Sequence, residues 1–313
     1  MPLCLCVSVV KMSKVLTMRD AIAAHVPDGA SVALGCQMEQ MIPFAAGHEI
    51  MRQRKRDLTL IGPISDILFD QMIGAGCVKQ VIVAWVGNVM MGSAYNFRRE
   101  VENGRVEVTN LTNFTVALAL QAAAMGLPYL PTRTALGSDV ASDNPFFAEI
   151  NSPFESGEKL HAVRALAPDV TIVHVQRADE HGNAHCWGNF GVMIEAVRAA
   201  KKVIVIAEEI VSAEVIASDP NRTVIPGFLV SAVVEERFGA HPSPVQGYYK
   251  RDDTFFRQYH EQSKTQEFFD EWAKRWVFAV KDRREYANQL GASRVAELGV
   301  KQHAYAAAAD YGY

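Results

Sequence analysis

The side chains able to do covalent or acid–base chemistry are few in this chain, and their spacing narrows which reactions are open. Cys36 and Gln37 follow the apolar run Ser31–Leu34 and Gly35. A thiol at a strand end can be a nucleophile, yet a small residue packed against the strand is the plainer reading. His181 and His185 stand four apart, the spacing of two zinc ligands on one helical face. Gly182-Asn183 between them spells a turn and no glutamate follows the first histidine, so no metal site is expected there. Cys4 and Cys6 likewise lack a second pair of ligands. Glu102-Asn103-Gly104 sets a carboxylate before a turn, but it ends an amphipathic segment, and a helix C-cap accounts for it. The nucleophile elbow G-x-S-x-G, a phosphate-binding Gly-Lys-Ser/Thr loop and the dinucleotide fingerprint G-x-G-x-x-G do not occur.

The elements that would position these residues alternate along the chain. Thr17-Met18-Arg19-Asp20 resembles a capping box opening a short helix that ends near His25. Pro27-Asp28-Gly29 then turns into the buried strand Ser31–Leu34, and a helix follows Pro43. Leu58–Ile61 reads as a strand, Asp66–Ile73 as a helix, Val78–Val86 as a strand and Gly92–Glu102 as a helix. After the strand Val106–Val108, Thr112 caps a helix to about Met125. Val170–Val175 and Val203–Ala207 are further β-branched runs, separated by a helix over Met193–Ala200. Strands apolar on both faces, alternating with helices, predict an α/β fold: a largely parallel sheet with helices on both faces. Ser142–Lys159 breaks the rhythm with turn signals and reads as a long loop. Phe255–Trp276 returns to helix, dense in aromatics that suit core packing or a subunit interface.

Composition sets outer limits. The 313 residues carry a formal net charge of −4, with 49% hydrophobic and 21% charged. That balance supports neither nucleic-acid nor membrane binding, and the basic run Arg52–Arg56 reads as a solvated helix end. Five scattered cysteines argue against a disulfide framework and for a cytoplasmic location. Residues 1–11 are apolar but too short to span a bilayer. Met12-Ser13-Lys14 looks like a second beginning, so 1–11 are expected to be an upstream extension, 12–294 one domain and 295–313 a tail.

Asp28-Gly-Ala-Ser-Val-Ala-Leu-Gly35, followed by Pro43, resembles the first signature of family I coenzyme A transferases. Met12–Ile22, Leu127–Pro131, Phe238–Ser243 and Ser263–Arg294 resemble the alpha subunit of glutaconate CoA-transferase in the same order. The resemblance implies exchange of coenzyme A between an acyl-CoA and a free acid, with coenzyme A as substrate and no resident cofactor. It also implies a partner beta subunit, because the family's nucleophilic glutamate lies in a Ser-Glu-Asn-Gly motif of the beta half; Glu102-Asn103-Gly104 is only a lookalike. No catalytic nucleophile is therefore expected in this chain. The family's Gly-Gly-Phe reads Gly35-Cys36-Gln37, and where the glutaconate enzyme has an arginine–lysine pair before the proline this chain has Met41-Ile42, which points to a less acidic or more apolar acyl group.

Ligands of open parallel sheets bind beyond the carboxyl edge, so the substrate-binding candidates are Gly35, Cys36, Gln37, Met38, Gly62, Ser65, Asn88 and Ser138, with His185 beside a family-like turn. Two other readings stay open. A related group of similar sequence opens the rings of steroid-derived CoA thioesters by hydrolysis, but has a glutamate where this chain has Asn113, which cannot act as a base. A non-catalytic protein that binds CoA esters is the other.

Overall fold

The computed structural model describes residues 13–154 and 156–300; the expected extension over 1–11 and the last residues of the expected tail lie outside them. The strands are β1 (Ser31–Leu34), β2 (Leu58–Gly62), β3 (Val78–Val83), β4 (Glu107–Asn110), β5 (Tyr129–Thr132) and β6 (Phe147–Asn151). They continue as β7 (Lys159–Arg164), β8 (Val170–Ala178), β9 (Ala184–His185), β10 (Lys202–Ile210), β11 (Thr223–Ile225) and β12 (Ala232–Glu235). The large sheet runs β12-β10-β8-β1-β2-β3-β4 with every one of those pairs parallel. β9 and β11 add an antiparallel corner at the end of β8. A separate antiparallel sheet is ordered β5-β7-β6.

The helices are α1 (Met18–His25), α2 (Phe44–Arg52), α3 (Asp66–Gly74), α4 (Tyr95–Glu102), α5 (Asn113–Ala124) and α6 (Met193–Ala199). α7 (Ala213–Ala217), α8 (Asp253–Gln262), α9 (Gln266–Ala273), α10 (Arg283–Leu290) and α11 (Ala292–Leu298) complete them. The start signals act as expected. Thr17 Oγ1 accepts from the Asp20 N–H at 3.1 Å, and Thr112 and Thr115 cap each other's backbone at the start of α5.

Alternation along each strand divides the core in two. Val32, Leu34, Leu60, Val81 and Ile172 pack on one face with α2, α3, α8 and α9. Ala33, Ile61, Ile82, Val173 and Val205 pack on the other with α5 and α6. Residues buried on both faces are what a parallel sheet requires, and they explain the near-continuous apolar strands.

Three expectations change. The loop over Ser142–Lys159 contains β6, and its turn residues close a hairpin with β7. β6 is mostly exposed, so it lacked the apolar run that marks the large-sheet strands. The helix over Phe255–Trp276 is three pieces: Ser263 ends α8, Thr265 caps α9, and a π-helical turn covers Lys274–Phe278. α11 passes the expected boundary at 294, and Gly299 still bridges to Tyr249.

A buried relay fixes the C-terminal helices to the sheet. His241 Nε2 lies 3.1 Å from Asp252 Oδ2, and its Nδ1 accepts from the Tyr286 hydroxyl at 2.9 Å. Asp252 also caps α8 through the Phe255 N–H at 3.0 Å and takes two bonds from Arg294. Burial alone would raise the Asp252 pKa; hydrogen bonds from His241 and Arg294 instead hold it below the usual carboxylate range. Removing the shared acceptor leaves the buried His241 Nε2 without a partner, breaks both bonds from Arg294 and uncaps a helix. Asp252→Ala is expected to cost about 3–5 kcal/mol, read as a lower urea midpoint at unchanged slope.

Candidate active site

β1 is the pivot of the large sheet. β2, β3 and β4 build outward from one side of it, and β8, β10 and β12 from the other. Strand order therefore reverses between β1 and β8, where the connections leave in opposite directions and open a crevice past the carboxyl ends. β1 stops at Leu34, opposite Ile172, while β8 runs on to Ala178. The segment after β1 thus sits beside the projecting end of β8.

That segment has an unusual backbone. Gly35, Cys36, Met38 and Met41 all take left-handed conformations, with φ of 72°, 62°, 63° and 48°. Three of them carry side chains, which ordinarily avoid this region, and such strain concentrates at ligand sites. Pins at both ends hold it: the Gly35 N–H donates to Ile172 O at 3.0 Å and the Met41 N–H to Pro244 O at 3.0 Å. The Val192 N–H donates to Cys36 O at 2.8 Å. Gly191 makes that approach possible, since a Cβ there would lie 2.3 Å from Cys36 O. The N–H groups of Gln37, Met38 and Glu39 have no acceptor among the described residues. Successive free N–H groups around a left-handed residue form a concavity suited to an anionic oxygen.

One cation joins the surrounding turns. Arg251 lies 3.1 Å from Glu39 Oε2, 2.9 Å from Asp66 Oδ2 and 3.4 Å from Asp253 Oδ1. Its guanidinium also covers the Phe256 ring at 3.9 Å. The Asp66 carboxylate accepts the Val89 N–H at 3.2 Å, so the connections after β1, β2 and β3 meet at this cluster. Burial pushes the Asp66 carboxyl up to about 6, although Arg251 and the Val89 N–H pull it back.

A family model described as coenzyme A transferase matches residues 15–236. The chain belongs to that family. The A-type subunit of a 3-oxoadipate CoA-transferase from Pseudomonas knackmussii is 39% identical, over 89% of this chain and 99% of its own. The crystal structure of glutaconate CoA-transferase from Acidaminococcus fermentans superposes with a TM-score of 0.88 at 38% identity, covering 92% of this chain and 96% of its own. A cholesterol ring-cleaving hydrolase subunit from Rhodococcus jostii is 28% identical over 87% of this chain and 94% of its own. These findings bear out the resemblance and the α/β fold.

Within this CoA-transferase fold the sequence-derived candidates separate. Gly35, Cys36, Gln37 and Met38 share the strained segment at the switch point, with Met38 alone partly exposed. Burial pushes the Cys36 thiol up to about 12, so it is no thiolate near neutrality. Gly62 and Ser65 lie directly behind this segment, and Ser65 Oγ donates to Leu34 O at 3.2 Å. Asn88 is fully engaged: its Nδ2 donates to Phe256 O at 2.9 Å, and its Oδ1 accepts from Met90 and Met91 N–H groups. Ser138 is exposed in the β5–β6 connection, which Asn144 ties to Asn110 O at the end of β4. His185 is buried on β9 with Nε2 3.0 Å from Ile216 O. Met41 and Ile42, the departure singled out before Pro43, are wholly buried and face the core. Sequence reasoning missed Arg251 and did not single out the Asp66 carboxylate. They lie 185 residues apart and neither sits in a motif.

Asp66 yields a pH signature. Its folded pKa of about 6 exceeds the ordinary value of 3.8, so this carboxyl's contribution is fully present below pH 4 and fades as pH rises to 6. Asp66→Asn removes that component. The stability of wild type relative to the variant should fall between pH 4 and 6 by up to about 1.4 kcal/mol per pH unit, measured by urea unfolding across that range.

Proposed function

We propose that this chain is the alpha subunit of a heteromeric CoA-transferase whose beta-type partner contributes the nucleophilic glutamate. The observation that carries this reading is a switch-point segment that offers backbone hydrogen-bond donors, while the carboxylates gathered at its edge are tied up by a cation. Glu39 and Asp66 are both held by Arg251. Glu102 ends α4, which leads into the start of β4, and so lies at the amino edge of the sheet, opposite the crevice.

The chemistry follows from that division. The partner's glutamate carboxylate attacks the thioester carbonyl, and the tetrahedral oxyanion expels the CoA thiolate to leave an acyl-glutamyl anhydride. The thiolate then attacks the glutamyl carbonyl, releases the acyl group as its carboxylate and leaves a glutamyl-CoA thioester. The second acid reverses these steps and departs as the new acyl-CoA. Oxyanions form at each attack, and in this reading the N–H groups of Gln37, Met38 and Glu39, which lack acceptors among the described residues, donate to them. Gly35 keeps this backbone open to close approach, and the bonds at Ser65 and Asn88 hold the neighbouring turns still.

The partner docks at the same edge. Trp85 and Met91 beyond β3, Phe114 beyond β4 and Leu136 in the adjacent connection are exposed apolar side chains, the kind that obligate interfaces cover. Hydrolysis would need a base on this chain, and Asn113, exposed at the start of α5, has none to offer. The reduced cysteines Cys36, Cys77 and Cys186 suit a cytoplasmic enzyme. Among the described residues no helix is long and apolar enough to cross a membrane.

Co-expression with a beta-type chain from the same genome, followed by a CoA-exchange assay, tests the proposal. The complex should transfer CoA and this chain alone should not. Borohydride reduction of the acyl-CoA-treated complex should modify one glutamate, on the partner. Glu102→Gln should retain transfer within about twofold, as expected of an exposed substitution far from the site. Turnover by this chain alone, or modification at Glu102, would overturn the assignment.

A further inference from the structure

Gln37 is fully buried, yet its carboxamide has almost nothing to hold. Nε2 has only sulfur neighbours, Cys186 Sγ at 3.4 Å and Met41 Sδ at 3.8 Å. Oε1 has no partner at all among the described residues. Exchanging the amide's oxygen and nitrogen changes nothing essential, because one end would still face soft sulfur and the other nothing. A buried amide without a strong partner is destabilising, and native structures keep such groups rarely and for a reason. A methionine side chain in the same place would meet Met41 and Cys186 with no polar atom to satisfy.

The position supplies the reason. Gln37 lies between the left-handed Cys36 and Met38, on the segment whose free N–H groups edge the switch-point crevice. Ser65 and Asn88 spend their polar atoms on the protein, whereas Gln37 spends none on a strong partner.

We propose that Gln37 is a substrate-contacting residue, whose carboxamide N–H exchanges its sulfur neighbours for an oxygen of the reacting acyl group: the thioester carbonyl or the carboxylate of the acid. A carbonyl or carboxylate oxygen is a far better acceptor than a thioether or a thiol. The proposal rests on the CoA-transferase reading. It assigns to this chain a side-chain contact with the acyl group that works beside the backbone donors, and it matches a substrate that presents oxygen at its reacting carbon.

The test is Gln37→Met, a change of similar length and volume, in the complex with the beta-type chain. Stability is read by urea unfolding, transfer with succinyl-CoA and acetyl-CoA as donors to free acetate or succinate, and donor affinity by calorimetry. Expected is a urea midpoint equal to or above wild type, with kcat/KM lower by at least about tenfold, the loss of one hydrogen bond to a reacting oxygen. Gln37→Glu, which keeps an acceptor but loses the donor, should lose as much. Transfer within about threefold of wild type in Gln37→Met overturns the proposal. So does a lowered midpoint, which would make the amide structural, and so does retained transfer in Gln37→Glu. A wild-type complex that transfers nothing, yet binds the CoA ester more weakly after Gln37→Met, would sink the transferase reading and keep the contact.

Discussion

The parallel pairing of β1 with β8 is the constraint on which the rest of this molecule depends. It brings together segments 138 residues apart, and the closure is secured at the amino edge by a small clamp. Asp169 accepts the Ser31 N–H at 2.9 Å and the Ser31 hydroxyl at 2.7 Å, while its own N–H donates to Ser31 Oγ at 2.9 Å. Lys201 completes the clamp, and its bond, with the Ser31 N–H next, pulls the Asp169 carboxyl down to about 2. Because β2 to β4 leave from one side of β1 and β8, β10 and β12 from the other, this one pairing creates the reversal in strand order. The crevice at its far end is a consequence of topology before any side chain is chosen.

What fills the rim of that crevice divides into groups that hold the frame and groups left uncommitted. Arg251 gathers one carboxylate from the connection after β1 and two from the starts of α3 and α8, Asn88 ties the connection after β3 to α8, and Ser65 braces the last carbonyl of β1. Beside this frame the segment Gly35–Met41 combines left-handed φ values, backbone donors without acceptors among the described residues and one amide without a strong partner. Local strain persists only where the surroundings over-determine it. The pins to Ile172, Val192 and Pro244 are those surroundings. The rigid frame and the unsatisfied segment are therefore two aspects of one design, and a partner chain arriving at the apolar rim would meet a donor array already in place.

Much of this was legible in the sequence, for identifiable reasons. Doubly buried strands carry near-continuous apolar runs, so β1, β2, β3, β8 and β10 announced themselves, and caps such as Thr17 and Thr112 are local side-chain-to-backbone bonds that depend on nearest neighbours alone. The family signature around Asp28–Gly35 marked the segment after β1. β6 escaped because a half-exposed strand in a small sheet carries no such run, and the break between α8 and α9 escaped because aromatic density continues across it.

The sequence by itself determined the alternation of elements, the class of the sheet, the family and the place of its first signature, since all of these rest on residues near one another along the chain. Tertiary structure alone decided what each candidate does. Asn88 proved to be a brace because Phe256 O comes to it across 168 residues, and Arg251 became the hub of the edge because folding carries it to Asp66. Met41 and Ile42 turned to the core, and Gln37 came to lie beside Cys186, 149 residues away, with no strong partner to bind. Whether a polar group is satisfied depends on every neighbour within hydrogen-bond reach. Folding brings those neighbours from far along the chain, where no local pattern can place them.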